Sequence, residues 1–126
     1  MIVALSFPHP SLFPNRKNGT HWTKTKAIKT EAREDAVEAT KQAMQADKTW
    51  GDTIPLSIVF VAPDCRHRDL DNCLAAAKSQ LDGMADALGV NDKRFRPILI
   101  DYVKGDGKGA MIVAVGVSIV SSQVIE

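Results

Sequence analysis

Apolar and polar residues alternate along 53–62, with Ile54, Leu56, Ile58 and Phe60 on one side, which predicts a strand with one buried face. Pro63-Asp64 ends it. Residues 2–7 predict a shorter strand, closed by Pro8-His9-Pro10, and 11–23 read as a loop carrying Pro14, Asn18, Gly19 and the pair His21-Trp22. From 24 to 46 the composition is helix-forming, and Ala27, Ala32, Ala36, Ala39, Ala43 and Met44 mark a modest apolar side. A second helix is predicted to begin near Asp69 or Asp71, either of which suits an N-cap, and to run to about Leu88, where Gly89 stops it. Leu74, Ala77, Leu81, Met84 and Leu88 give it a core stripe. Strands follow over 97–104 and 110–120, and the glycine-rich stretch 105–109 between them reads as a hairpin turn. A phosphate loop does not fit there, because no Ser or Thr follows Lys108 and no helix follows the glycines. The order is β-α-β-α-β-β: a single α+β domain over 1–126, with two main helices against a mixed sheet.

The 126 residues are 44% hydrophobic and 25% charged, ordinary values for a globular protein with a core of its own. A net charge of +1 argues neither for nor against nucleic acid, but the charges are unevenly placed. Arg16, Lys17, Lys24, Lys26, Lys29 and Arg33 make an early basic zone opposed by Glu31 alone; Lys93, Arg94, Arg96, Lys104 and Lys108 make a late one. Two such zones form a footprint for a polyanion if the fold joins them, and are solvated faces if it does not. No stretch reads as a secretory signal or approaches the ~20 apolar residues of a membrane span. Cys65 and Cys73 read as reduced thiols, and a zinc site would lack ligands at the usual spacings. These points lead to the expectation of a cytoplasmic protein without a membrane partner.

Candidate chemistry is concentrated in Arg66-His67-Arg68-Asp69-Leu70-Asp71-Asn72. Carboxylates suit Mg²⁺ or Mn²⁺, and arginines suit the phosphates on which such a metal acts. Residues i and i+2 do not share a helix face, so Asp69 and Asp71 can serve one ion only at a strand-to-helix junction, where the backbone is free to aim both inward. Helix capping alone, or a metal-dependent phosphotransferase acting on a nucleotide, also accounts for this pair. An EF-hand does not, since its ligand ladder is absent. Asn72 reads as a helix cap. Asp92 is a third acid, but a straight helix of about 18 residues would carry it ~27 Å from the pair, so only a shorter or bent helix, or a partner subunit, would bring it there.

The run Pro63-Asp64, Arg66 to Asn72, a helix and then Gly89-Val90-Asn91-Asp92 resembles the RusA family of Holliday junction resolvases. Leu5-Ser6-Phe7-Pro8-His9-Pro10-Ser11 resembles that family's opening strand and proline-rich turn. The resemblance implies a homodimeric, Mg²⁺-dependent endonuclease that nicks four-way DNA junctions, with Asp69, Asp71 and Asp92 as metal-binding catalytic acids. It implies a general DNA-contact role for Arg16 and Lys17; Arg66 and Arg68 by their own chemistry suit phosphate as bidentate donors, or a salt bridge to a neighbouring Asp. A lysine that the family carries four residues after the second acid is Ala75 here. Lys78, seven residues after Asp71 and about 20° from it around a regular helix, is the candidate to replace it; a solvent-facing pair with Asp82 is the alternative. The same departure leaves room for a branched-DNA-binding protein with weak or no catalysis.

Overall fold

A computed structural model describes residues 1–14, 22–45, 49–105 and 107–116, with only the backbone of Trp22 and Thr23. Strands β1 (Ile2–Leu5), β2 (Ile54–Ala62), β3 (Phe95–Lys104) and β4 (Ala110–Val115) form one mixed sheet in the order β1-β4-β2-β3. Helices α1 (Trp22–Ala43), α2 (Leu70–Ala76) and α3 (Lys78–Leu88) supply the helical layer. The α+β class is therefore as expected, and so is the order of elements apart from a break in the second helix. No described helix is long and apolar enough to cross a membrane.

Alternate residues of the strands carry the core. Val3, Leu5, Ile54, Leu56, Ile58, Phe60, Met111, Val113 and Val115 are buried, and they pack with Ala36, Cys73, Ala77, Leu81 and Met84 of the helices. Phe60 is fully buried at the centre. Phe60→Ala is expected to cost about 3–5 kcal/mol, lost transfer energy plus the cavity, read from the urea midpoint at constant m.

The layer depends on close approach of α1 and α3. A Cβ on Gly83 would collide with the carbonyl oxygen of Arg33 and stand 2.9 Å from the Ala36 Cβ. Arg33 clamps the same crossing through a two-pronged pair with Asp86, at 2.6 and 2.9 Å.

Two features differ from the expectations. First, β3 and β4 are not a hairpin. β3 runs parallel to β2, β4 runs antiparallel to it, and β2 lies between them. The glycine-rich connection instead passes over the end of β2. Gly105 donates its N–H to Ala62 O at 3.1 Å, and a Cβ on Gly109 would stand 2.9 Å from the Pro63 Cβ. A local turn signal does not reveal which strand its flanks embrace. Second, the predicted long helix is broken at Ala77, whose ψ of 3° separates α2 from α3, so the described residues hold three α-helices rather than two. Ala77 is fully buried, and nearby Gln80 is tied to Ser6 O at 2.7 Å, which fixes the start of α3 against the end of β1. The predicted strand 110–120 ends at Val115; its remainder after Gly116 lies outside the described residues.

Candidate active site

The chain leaves β2 at Pro63 and turns on Asp64. The Asp64 carboxylate accepts the backbone N–H of Arg66 at 3.0 Å, an Asx-type turn. It also accepts both Nη atoms of Arg68 at 2.9 Å each, and Nε and Nη2 of Arg66 at 3.3 and 3.2 Å. The hydrogen bond from Arg68, then that from the Arg66 backbone, hold the Asp64 carboxyl well below the usual carboxylate range. Reciprocally, Asp64 raises the already high pKa of Arg68.

The two arginines differ in surroundings. The Arg68 side chain is 12% exposed, whereas that of Arg66 is 72% exposed. Arg68 lies over the Phe7 ring, 5.1 Å from its centroid, and donates to the Tyr102 hydroxyl at 3.3 Å. Tyr102 in turn donates to Arg66 O at 3.2 Å. Arg68 is thus the post around which the loop is built, and Arg66 is the cation presented to solvent.

Asp64 sets a pH dependence whose sign follows from its depressed pKa. The pair's stabilisation is complete above the ordinary carboxylate pKa of ~3.9 and is lost as pH falls through the lower folded value. Thermal stability is expected to be insensitive to this pair from neutral pH down to about pH 5 and to fall in stronger acid. Asp64→Asn should flatten the acid limb relative to the parent in melts across that range.

Asp69 occupies the N-cap of α2, with extended backbone, yet its carboxylate makes no capping hydrogen bond. It is 66% exposed and lies 3.2 Å from His67 Nε2. Capping, the plainest explanation for an acid here, therefore does not account for Asp69. It lines a 340 Å³ cavity with Arg66, His67, Arg68 and Asn72, whose far wall is Pro10 and Phe13. Pro10 belongs to a short 3-10 turn, Pro10–Leu12, and Phe13 stacks on Phe7 at 6.0 Å. Asn72 lies inside α2 and does not cap it. Asp71 is exposed in the first turn of α2.

Asp92 does not stand at the far end of a straight rod. Gly89 takes the left-handed conformation (φ 70°), with Val90 N bonded to Ala85 O and Gly89 N to Asp86 O, a Schellman reversal. The chain doubles back, and Asp92 meets Lys78 at the beginning of α3. Lys78 Nζ contacts Asp82 at 2.7 Å and Asp92 at 2.8 Å. Asp82 first and Asp92 second raise the Lys78 pKa, and the Lys78 ammonium lowers that of Asp92. The pairing with Asp82 expected as one alternative is present, and Lys78 makes a second pair with Asp92.

Asp69, Arg66 and Arg68 share the cavity, while Lys78 and Asp92 share an ion pair further along. No three His, Cys, Asp or Glu side chains among the described residues converge as a metal-ligand group. The donor chemistry nevertheless fits Mg²⁺, which retains several waters and needs one or two carboxylates with substrate oxygens. Asp69 and Asp71 would hold it, whereas Asp92 does not line the cavity and is paired with Lys78. Arg16 and Lys17 lie outside the described residues. The sequence did not point to Tyr102 or Phe13, nor to Asp64 as the organiser of the loop; the two-residue spacing of Asp64 before Arg66 was the available signal for the turn.

A protein of Xylella fastidiosa described as uncharacterized is 35% identical to this chain over an alignment covering 84% of the chain and 71% of the relative. The chain belongs to that protein's family. No family model matches it. The relationship carries a shared fold and lends no activity to either member.

Proposed function

We propose that the protein is a Mg²⁺-dependent, structure-selective endodeoxyribonuclease of the RusA type that resolves four-way DNA junctions by paired nicks, acting in the cytoplasm as a homodimer. The observation that carries this reading is Asp69. It is a carboxylate at a strand-to-helix junction, released from capping, in a cavity flanked by arginines and an aromatic wall. Arg66 would meet a phosphate, and Phe13 offers a face for a sugar or base. Bound Mg²⁺ would supply an acidified water as nucleophile and shield the charge developing on the phosphate. Asp64 and Tyr102 hold the arginine loop in place before substrate arrives, so less ordering is needed on binding. Lys78 would neutralise Asp92 until a cation or a phosphate displaces it.

A synthetic four-way junction and a linear duplex of the same arms test this. Binding to the junction in preference to the duplex is expected, falling steeply with salt as counterions are released. Equal affinity for the two would remove junction selectivity from the proposal.

The Lys78–Asp92 ion pair favours a second reading, a branched-DNA-binding protein with weak or no catalysis, because it occupies an acid the nuclease would need. Lys78→Met separates them. In a nuclease it changes the Mg²⁺ concentration required for nicking, whereas in a pure binding protein it changes only affinity.

A further inference from the structure

The hydrogen-bond parity of β1 decides what its free edge offers. Met1 and Val115 exchange backbone bonds: Val115 N donates to Met1 O at 2.8 Å, and Met1 N to Val115 O at 3.5 Å. In an antiparallel pair such exchanges recur at every second residue, so Val3 and Leu5 also turn their backbone groups toward β4. Those of Ile2, Ala4 and Ser6 point the other way. β1 ends the sheet, and no described strand pairs with that edge.

A 460 Å³ groove lies between this edge and α1. Ala4 and Ser6 line it on the strand side, and Ile28, Ala32, Glu31 and Asp35 on the helix side. Gln80 lines it as well, and its Nε2 donates to Ser6 O at 2.7 Å, the bond a neighbouring strand would make there. Gln80 is only 5% exposed, yet its buried Oε1 takes no donor from the described residues. A buried acceptor in that state is a standing demand for an N–H. Glu31 and Asp35 stand one helical turn apart and repel each other, and neither is ion-paired among the described residues.

These groups select their ligand. The carboxylates call for two cations about 6 Å apart, and they turn DNA away. Gln80 calls for a donor, and the Ala4 backbone for a donor and an acceptor together. A polyamine brings the cations but no acceptor for the Ala4 N–H. A second copy of β1 brings the backbone, but Ile2-Val3-Ala4-Leu5 has no basic side chain. An extended peptide brings everything. Its backbone alternates donors and acceptors, and its side chains two residues apart stand ~6.8 Å apart on one face, close to the carboxylate spacing.

We infer that the free edge of β1 is a docking site for an extended segment of a partner protein that carries basic residues at alternate positions. The segment adds to the four-stranded sheet as a fifth strand, with its basic side chains over Glu31 and Asp35 and their stems on Ile28 and Ala32. Pro10 lines both this groove and the Asp69 cavity, so the partner is seated beside the candidate active site. The inference stands whether or not the chain is a nuclease.

The probe is the peptide acetyl-Val-Lys-Val-Lys-Val-amide, titrated into the isotope-labelled full chain and followed by NMR. Saturable binding is expected, with hydrogen exchange at the Ala4 amide slowed at least ~10-fold at saturation. The double variant Glu31→Lys, Asp35→Lys removes the attraction for the lysines. Ala4→Pro removes the outward N–H while sparing the bonds to β4, a position at which an edge strand tolerates proline. Each is expected to weaken binding at least ~10-fold with the parental circular dichroism kept. If Ala4→Pro does not fold, the charge-reversed variant and the Ala4 amide decide the matter. Absence of saturable binding overturns the inference, as does binding that both variants retain. Binding that leaves the Ala4 amide unprotected, or that equimolar spermidine abolishes, also overturns it and makes the groove a site for cations alone.

Discussion

Asp71→Asn and Asp69→Asn are each expected to abolish nicking of a four-way junction while leaving junction binding intact or slightly tighter. Losing a group that merely orients a metal ligand costs roughly 10–100-fold. Losing a ligand itself is therefore expected to lower the rate by at least ~100-fold in single-turnover assays. Binding survives because the amide removes a negative charge that repels the phosphates. Asp69 gives the cleaner test, since its carboxylate makes no capping bond to the helix that a substitution would break. Asp71→Asn tests the second carboxylate of the pair, in the first turn of α2. Nicking retained by both variants would remove these carboxylates from the chemistry.

The second large effect divides the two arginines. Arg68→Ala is expected to destabilise the protein by about 2–3 kcal/mol, since it deletes charge-assisted hydrogen bonds to Asp64 and the cation stacked on Phe7. Arg68→Lys should recover only part of this, because an ammonium cannot reproduce the planar fork that grips both Asp64 oxygens. Arg66→Ala, at a side chain 72% exposed, should change stability by no more than ~0.5 kcal/mol. Its effect should appear in junction affinity and in a shallower salt dependence, as one phosphate contact is lost. Denaturant titration and junction binding on the same three variants give the comparison. Equal stability losses at both positions would contradict the division into a supporting and a presented arginine.

The legible part of the fold was the part encoded by periodicity. The alternation of Ile54, Leu56, Ile58 and Phe60 set out β2, and Gly89 marked the helix stop because a left-handed residue was required there. The break at Ala77 was illegible for a physical reason. Ala75-Ala76-Ala77 are the strongest helix formers available, and the interruption coincides with tertiary contacts at Ala77 and Gln80. The strand order failed for a related reason: a glycine-rich loop is equally suited to joining adjacent strands and to passing over the end of a third, here β2.

In the site, Asp69, Arg66 and Arg68 emerged from composition because acids and arginines crowd into seven residues. Asp64 was passed over as the tail of a strand, although it organises both arginines. Asp92 looked too remote on a straight rod, and a shorter or bent helix was one of the two routes back for it. The reversal at Gly89 returns it to Lys78. Contacts of this kind, between the first residue of one element and the loop beyond its end, depend on path and leave no periodic trace.

The measurement that bears most directly on the central claim is the mapping of products, at nucleotide resolution, from a fixed four-way junction incubated with the full chain and Mg²⁺. Paired nicks at symmetry-related positions in opposing strands are expected, absent without the cation and absent with Asp69→Asn. A junction that is bound tightly, yet stays intact with Mg²⁺ and with Mn²⁺, would contradict the nuclease and leave a branched-DNA-binding protein in its place.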